Sequence, residues 1–222
     1  MKILLIGETG TGKTYTSLTL SKFFNTIYID TENGTELWLK NYFKFDKERF
    51  KLVLVDSWYS YKTVDSKISE SKLIVLDSLS ALQDHYFDYV QQYVRERREF
   101  PMPTATGIVK LRYDTEFIVL PMQLYQLVYD TMLNVIDSLA RRAEHLIVTM
   151  HPIETKVATL DGQVVQSRGS QRYVQAICRR MDIILSYTEP MRAKVVKARG
   201  FLDLPEFVNP IDFLKQVLNV NE

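Results

Sequence analysis

The feature that most constrains this chain is a glycine-rich segment near its start, Gly7–Thr14, with the letters GETGTGKT. It fits the pattern G-x-x-x-x-G-K-[ST], in which glycines let backbone N–H groups close around phosphates. The short apolar run Ile3–Ile6 precedes it, and a helical pattern begins at Lys13. A strand before the loop and a helix after it are the context that this motif requires, because a helix N-terminus attracts anions. The sequence therefore predicts a nucleoside triphosphate site, with ATP as the expected ligand.

Each position of this loop is a candidate for phosphate binding: Gly7, Glu8, Thr9, Gly10, Thr11, Gly12, Lys13 and Thr14. Lys13 is expected to reach the β- and γ-phosphates, and the Thr14 hydroxyl is expected to hold Mg²⁺. The alternative is a glycine-rich turn that binds no ligand.

Composition limits the remaining possibilities. A chain of 222 residues with 46% hydrophobic content suits one compact domain, with a core over about 1–200 and a tail over 201–222. The net charge of +1 argues against a protein that is basic overall, although a local basic patch remains open. The single cysteine, Cys178, cannot form an internal disulfide, which favours a reducing compartment. No segment has the length of a signal sequence or membrane span, so a cytoplasmic location is expected.

Short apolar runs alternate with helical patterns along most of the chain. This alternation predicts an α/β fold with a mostly parallel, twisted sheet, helices on both faces and a C-terminal β-hairpin over Ile183–Tyr187 and Ala193–Lys197. Ligands of such sheets bind beyond the carboxyl ends of the strands. The predicted strands end at polar or glycine positions, namely Gly7, Asp30, Asp56, Asp77 and His151.

Asp77 follows the predicted buried strand Leu73–Leu76. A carboxylate at that position is costly unless it is paired, and in a phosphate-loop protein Thr14 and hydrated Mg²⁺ would be its partners. The alternative is that Asp77 caps the next helix at Ser78, and the two roles are compatible.

Hydrolysis also needs a group that orients or deprotonates the attacking water. Many phosphate-loop ATPases place a glutamate directly after the metal-linked aspartate, but this chain has Ser78 there. The best candidate is Glu32, just beyond the second predicted strand and on the same edge of the sheet.

The order of these motifs, a glycine loop, a strand ending in Asp-x-Glu and a strand ending in Asp-Ser, resembles the ATPase core of the RecA/RadA recombinases over residues of about 1–200. Tyr28–Asn33 resembles the segment that bears the catalytic glutamate of that family, and Leu76–Leu79 resembles its second nucleotide motif. Leu146–His151 is similar to the strand that ends in the γ-phosphate sensor, which implies that role for His151. The family usually has Asn-Gln there, and minimal RecA-like ATPases of phages tend to carry such a histidine.

The late segment Lys194–Arg199 is similar to a RecA strand that carries two basic residues with one residue between them. The resemblance implies that Lys197 and Arg199 reach the triphosphate of a neighbouring subunit, as an arginine finger does, in a homo-oligomer with shared active sites. No helical domain, polymerisation motif or C-terminal domain of a full recombinase is visible, so the pattern is that of a minimal viral or phage core in the host cytoplasm, and no stable filament is expected.

The mixed charges of Arg95–Glu99, followed by Pro101 and Pro103, break a helical pattern and predict a loop over 100–113. The same resemblance implies that two loops, about 100–113 and 153–172, contact single-stranded DNA. The polar segment Pro152–Gln171, which overlaps the second loop, is itself predicted to be a mobile hairpin with a turn at Asp161-Gly162. Basic residues lie in or near both loops: Arg95, Arg97, Arg98, Lys110, Arg112, Lys156, Arg168, Arg172, Arg179 and Arg180. Tyr113 or Tyr173 is a candidate for stacking on bases. Ordinary solvated surface is the alternative for all of them, and the net charge does not favour DNA.

The three histidines lack metal-ligand spacing; His85 is expected to be packed in a tyrosine-rich helix, so only His151 is placed for chemistry. The resulting hypothesis is a Mg²⁺-dependent, RecA-like ATPase that acts with single-stranded DNA in recombination, annealing or replication. The alternatives are a genome-packaging or helicase motor, and an ATP-binding regulatory switch that acts through a protein partner.

Overall fold

The computed structural model describes residues 1–104, 107–112, 122–152, 158–160, 163–165, 168–201 and 203–220. The elements within these ranges, in chain order, are β1 Lys2–Ile6, α1 Lys13–Ser21, β2 Thr26–Asp30, α2 Thr35–Asn41, β3 Phe50–Leu54, α3 Trp58–Asp65, β4 Ser71–Asp77, α4 Leu79–Arg97, β5 Glu99–Thr104, β6 Gly107–Arg112, α5 Met122–Arg141, β7 Ala143–Met150, β8 Ala158–Leu160, β9 Gln163–Val165, α6 Arg168–Arg180, β10 Ile183–Glu189, β11 Arg192–Ala198, β12 Phe207–Val208 and α7 Pro210–Val217.

The main sheet has eight strands among the described residues, in the order β12-β11-β10-β1-β7-β4-β2-β3. The six strands from β10 to β3 pair in parallel, whereas β11 and β12 are antiparallel. The predicted α/β class, the mostly parallel sheet and the C-terminal hairpin of β10 and β11 are therefore confirmed. Because β7 lies between β1 and β4, the residue after β7 emerges between the glycine loop and the end of β4.

Apolar side chains alternate between two cores, one on each face of the main sheet. Leu4 and Ile74 enter the core that α3, α4, α5 and α6 cover. Ile3 and Val75 enter the core that α1 and α7 cover. Each such side chain contributes about 1.5–3 kcal/mol through burial, so both layers of helices are tied firmly to the sheet. None of the helices in the described ranges has the length and apolar character needed to cross a membrane.

The tyrosine-rich stripe of α4 belongs to the first core, as the spacing predicts. Tyr86 is buried and its ring lies 4.4 Å from that of Trp58. Tyr89 and Tyr93 are partly buried against the same core. The helix ends at Arg98, whose φ of 53° is left-handed, and this turns the chain toward the next strand.

The loop predicted over 100–113 is instead an antiparallel hairpin of β5 and β6 in its described part. The two prolines, Pro101 and Pro103, suggested a break in structure. They are two positions apart and therefore direct their nitrogens to the same side of the strand, so a two-stranded hairpin tolerates both on its outer edge. The hairpin interpretation of the later segment is confirmed for β8 and β9, which pair antiparallel, while the turn Asp161-Gly162 lies outside the described residues.

Candidate active site

Three glycines of the loop between β1 and α1 occupy positions that no other residue fits without strain. Gly10 and Gly12 have φ values of 83° and 100°, in the left-handed region that favours glycine. A Cβ on Gly7 would lie 2.7 Å from the Tyr187 Cβ, and one on Gly12 would lie 2.9 Å from the Met191 Sδ. This loop, called the phosphate cradle below, therefore requires glycine at these positions, either for the left-handed φ or because the β10–β11 hairpin packs closely against it.

The other loop residues lie at the rim of this cradle. Glu8, Thr9 and Gly10 are exposed, and the Thr11 hydroxyl donates to the Glu8 carbonyl at 2.8 Å. The Gly7 N–H donates to the Met150 carbonyl at 3.2 Å, which joins the loop to the end of β7.

The turn between β10 and β11 packs directly on the loop. The Met191 N–H donates to the Thr11 carbonyl at 3.2 Å, and the Tyr187 hydroxyl donates to the Thr16 Oγ1 at 2.7 Å. Sequence reasoning missed both residues, because the contact joins segments about 180 positions apart and leaves no local pattern.

Lys13 is 6% exposed, and its ammonium donates to the carbonyls of Gly7 at 2.6 Å and Glu8 at 2.9 Å. Burial lowers the pKa of Lys13, while the carboxylates of Asp77 and Glu32 act in the opposite direction. The loop carbonyls thus hold the ammonium inside the cradle, where phosphate oxygens can replace them as its partners.

Asp77 lies at the end of β4 and is 5% exposed. Its carboxylate accepts hydrogen bonds from the hydroxyls of Thr14 at 2.7 Å, Tyr28 at 2.6 Å and Thr149. Burial raises the pKa of Asp77, and the three hydroxyl donors oppose that rise. Tyr28 and Thr149 were not predicted; their only sequence signal is a polar group within an otherwise apolar strand.

The paired oxygens of Thr14 and Asp77 fit Mg²⁺, which prefers hard oxygen ligands. Across the described ranges, no group of three or more His, Cys, Asp or Glu side chains is arranged to hold a metal ion. A Mg²⁺ ion at this position would therefore take its remaining ligands from phosphates and water, which is usual for this ion in nucleotide sites.

Glu32, Ser78 and His151 meet at the same edge of the sheet, although they follow three different strands. The Glu32 Oε1 accepts a hydrogen bond from the Ser78 hydroxyl and lies 3.0 Å from the His151 Nε2. The Glu32 side chain is 39% exposed, so water can reach it. The Ser78 hydroxyl also accepts from the Ala81 N–H at 3.2 Å, so Ser78, and not Asp77, caps α4.

Two other acidic strand ends have structural contacts. Asp30 is buried and accepts from the backbone N–H groups of Glu32 at 3.0 Å and Thr35 at 2.8 Å. Asp56 is exposed, and hydrogen bonds from the side chains of Ser60 and Ser57 lower its pKa.

Lys197 and Arg199 lie away from the glycine loop of their own chain. The β11 strand is antiparallel, and its first residues lie by the loop while Lys197 pairs with Ile184 near the start of β10. The Lys197 ammonium donates to carbonyls at the end of α6 and just beyond it, those of Cys178 at 2.8 Å and Met181 at 2.6 Å. Arg199 is 3.4 Å from the Asp182 carboxylate and remains 60% exposed.

The basic residues predicted to contact DNA are divided between surface and structural positions. Arg95, Arg97 and Lys110 are exposed at the junction of α4 and the β5–β6 hairpin, where Lys110 pairs with Glu99 at 2.8 Å. Arg172 and Arg179 are also exposed, whereas Arg180 pairs with Asp137 at 3.0 Å.

One of the two stacking candidates is wrong. Tyr173 is 3% exposed, and its ring stacks on that of Tyr129 with centroids 4.4 Å apart. It lies on the apolar face of α6, which places its ring in the core. The other candidate, Tyr113, and Lys156 lie outside the described residues.

A protein-family model described as an AAA domain matches residues 1–202. The matched region contains the glycine loop and the whole cluster of Glu32, Asp77 and His151, as well as Lys197 and Arg199. No curated protein gives a significant match to the chain.

Proposed function

The chain belongs to the AAA domain family of phosphate-loop ATPases, whose model covers most of its length, and from that premise we propose that it is a Mg²⁺-dependent ATP hydrolase of the RecA-like type. The observation that carries the proposal is the meeting of Glu32, Ser78 and His151 beside the Lys13, Thr14 and Asp77 group. A site that only binds a triphosphate needs Lys13, Thr14 and Asp77, but it does not need Glu32, Ser78 and His151.

In the proposed mechanism, backbone N–H groups of the loop that follows Gly7 and the Lys13 ammonium bind the phosphates. Thr14 and Asp77 would hold Mg²⁺, which when bound neutralises charge that develops on the phosphate oxygens. Tyr28 and Thr149 orient the Asp77 carboxylate and favour its ionised form by donating hydrogen bonds to it.

Glu32 would orient and deprotonate the attacking water. Two features support this role: its partial exposure, and the Ser78 hydroxyl that holds one carboxylate oxygen and leaves the other available. Ser78 occupies the position where many such ATPases carry the glutamate itself, and here it serves as the support of a glutamate from the neighbouring strand.

His151 would sense the γ-phosphate. It follows Met150, whose carbonyl is bonded to the Gly7 N–H, so His151 is attached to the rim of the phosphate cradle. Its Nε2 contact with Glu32 gives it a partner that a γ-phosphate would compete with. The state of the nucleotide would pass from His151 to the second loop, about 153–172.

The proposed partner is single-stranded DNA, in recombination, annealing or replication. The exposed Arg95, Arg97 and Lys110 beside the β5–β6 hairpin support a phosphate-binding surface. We further propose that the chain forms a homo-oligomer in which Arg199, which is largely exposed, acts at the site of the next subunit. Lys197 would have to leave its carbonyl partners at the end of α6 to act in the same way.

The test is Glu32→Gln, which keeps the size and hydrogen bonding of the side chain and removes the base. Turnover should fall by about 10²–10⁴-fold, while the affinity for a fluorescent ATP analogue stays within about two-fold because Glu32 does not bind phosphate. The matched control is Glu36→Gln, an exposed glutamate in the first turn of α2, which should leave both quantities unchanged. Normal hydrolysis by Glu32→Gln would exclude Glu32 as the base.

The same assay, run with and without DNA, tests the partner. Stimulation of ATPase activity by single-stranded DNA that is lost on replacing Arg95, Arg97 and Lys110 with alanine supports the proposal. Stimulation by double-stranded DNA alone would indicate a packaging or helicase motor, and no response to either would indicate a switch that acts on a protein.

A further inference from the structure

Thr31, between Asp30 and Glu32, joins the end of β2 to the end of β4 through its N–H and hydroxyl, and to α4 through its carbonyl. It is buried, and its N–H donates to the Asp77 carbonyl at 2.8 Å. Its hydroxyl donates to the Ser78 carbonyl at 2.8 Å and accepts from the Ser78 N–H at 2.7 Å. Its own carbonyl oxygen lies 3.1 Å from the His85 Nε2. Each polar atom of Thr31, the residue before Glu32, therefore has a hydrogen-bond partner.

His85 reaches this carbonyl from α4. It lies seven residues after Ser78, so the two residues fall on the same face of the helix. Because a carbonyl oxygen only accepts hydrogen bonds, the His85 Nε2 must carry the proton that is donated. The expectation that His85 is packed is met in part, since it is half-buried, but its ring also has this specific polar partner.

The contact acts on the peptide group that joins Thr31 to Glu32. The carbonyl of that group is bound by His85, and its N–H donates to the Asp30 carboxylate at 3.0 Å. A peptide group is planar, so holding both of its polar atoms fixes the position of the Glu32 Cα, from which the carboxylate extends. Within the described ranges, the hydrogen-bond and ion-pair partners of the Glu32 side chain are Ser78 and His151, both at its Oε1.

We propose that His85 is a positioning residue for Glu32: it orients the Thr31–Glu32 peptide group and so places the carboxylate against the attacking water. This inference rests on the proposed role of Glu32 as the base. Without the imidazole, the Thr31 carbonyl would turn toward water and the peptide group would rotate. A displacement of about 1 Å at a reacting group can lower a rate by about 10²-fold.

The experiment compares four single variants by kcat, KM for ATP, affinity for a fluorescent ATP analogue and thermal midpoint. His85→Ala removes the donor, His85→Met removes it at similar side-chain size, and His85→Gln keeps an N–H donor. Gln92→Ala, an exposed position on the same helix, is the matched control. His85→Met replaces His85→Ala if the alanine variant does not fold.

We expect kcat to fall by about 10–100-fold in the variants without a donor. Nucleotide affinity should stay within about two-fold of the control, and His85→Gln should restore most of the rate. The proposal is overturned if the donor-free variants turn over ATP like Gln92→Ala, if affinity falls by the same factor as kcat, or if His85→Gln is as slow as His85→Met.

The Glu32→Gln variant, alone and combined with His85→Met, separates this proposal from the one that it rests on. If Glu32→Gln keeps normal turnover, the assignment of the base fails, whatever the His85 variants do. If Glu32→Gln is inactive and the His85 variants are not, only the positioning role fails. In the Glu32→Gln background, adding His85→Met should change the residual single-turnover rate by less than about two-fold, because both changes act through one group. A further large loss would show that His85 acts independently of Glu32.

Discussion

Replacing Tyr28 with phenylalanine removes one hydrogen bond from the buried carboxylate at the centre of the site. The Tyr28 ring is fully buried, and its hydroxyl donates to the Asp77 Oδ2 at 2.6 Å. The hydroxyl also lies 2.8 Å from the Ser17 Oγ, but that atom donates to the Thr14 carbonyl at 2.9 Å and keeps a partner. Phenylalanine has the same ring, so the charged group that loses a hydrogen bond is the Asp77 carboxylate.

The magnitude follows from the charge of that partner. A hydrogen bond to a charged group contributes about 1.5–3 kcal/mol. A chain of this length loses about 2–4 °C of thermal midpoint per kcal/mol, so Tyr28→Phe should lower the midpoint by about 3–12 °C.

The effect of Tyr28→Phe should also depend on pH. Burial already raises the pKa of Asp77, and losing a donor raises that pKa further. A group whose pKa is raised by folding costs stability as the pH rises through that pKa, so the loss should be larger at pH 8 than at pH 5.

The assay is thermal unfolding at both pH values, with Tyr187→Phe as the matched control. The Tyr187 hydroxyl is also buried, but it donates to a neutral partner, the Thr16 Oγ1, at 2.7 Å. Its removal should cost about 0.5–1.5 kcal/mol and should not depend on pH in this range. The reasoning is refuted if Tyr28→Phe destabilises no more than Tyr187→Phe, or if its effect is the same at pH 5 and pH 8.

Two further predictions concern the loop and the neighbouring subunit. Gly12→Ala forces a left-handed φ on alanine, which costs about 1–2 kcal/mol of conformational free energy. The new Cβ would also lie 2.9 Å from the Met191 Sδ. The affinity for an ATP analogue should therefore fall by about ten-fold. Gly34→Ala is the control, because φ is −91° there and no atom lies within 4 Å of the added Cβ. It should leave ATP-analogue binding unchanged. Equal affinities of the two variants would contradict the geometry of the phosphate cradle. Arg199→Ala should keep ATP binding and lower specific activity at high protein concentration by about ten-fold or more, as loss of an arginine finger does. Arg192→Ala, an exposed residue at the start of β11, is its control, and identical activity of the two variants would remove Arg199 from the mechanism.

The first hairpin shows where sequence reasoning failed for the fold. Two prolines and mixed charges suggested a loop over 100–113, yet β5 and β6 pair across that segment. A two-stranded hairpin has no second neighbour for either strand, so the usual objection to proline inside a sheet does not apply. The apolar runs of the main sheet were easier to predict, because strands buried on both faces must be apolar throughout.

The sequence by itself determined the phosphate loop, the strand that leads into it and the acidic residue at the end of β4. These features are local: a left-handed φ requires glycine, and a buried parallel strand requires an unbroken apolar run. The tertiary structure decided which distant groups complete the site. Tyr28 and Thr149 bind Asp77, Met191 packs on the loop, and His85 binds the Thr31 carbonyl. Such contacts join segments far apart in the chain, and they depend on the order and register of the strands, which no local pattern encodes.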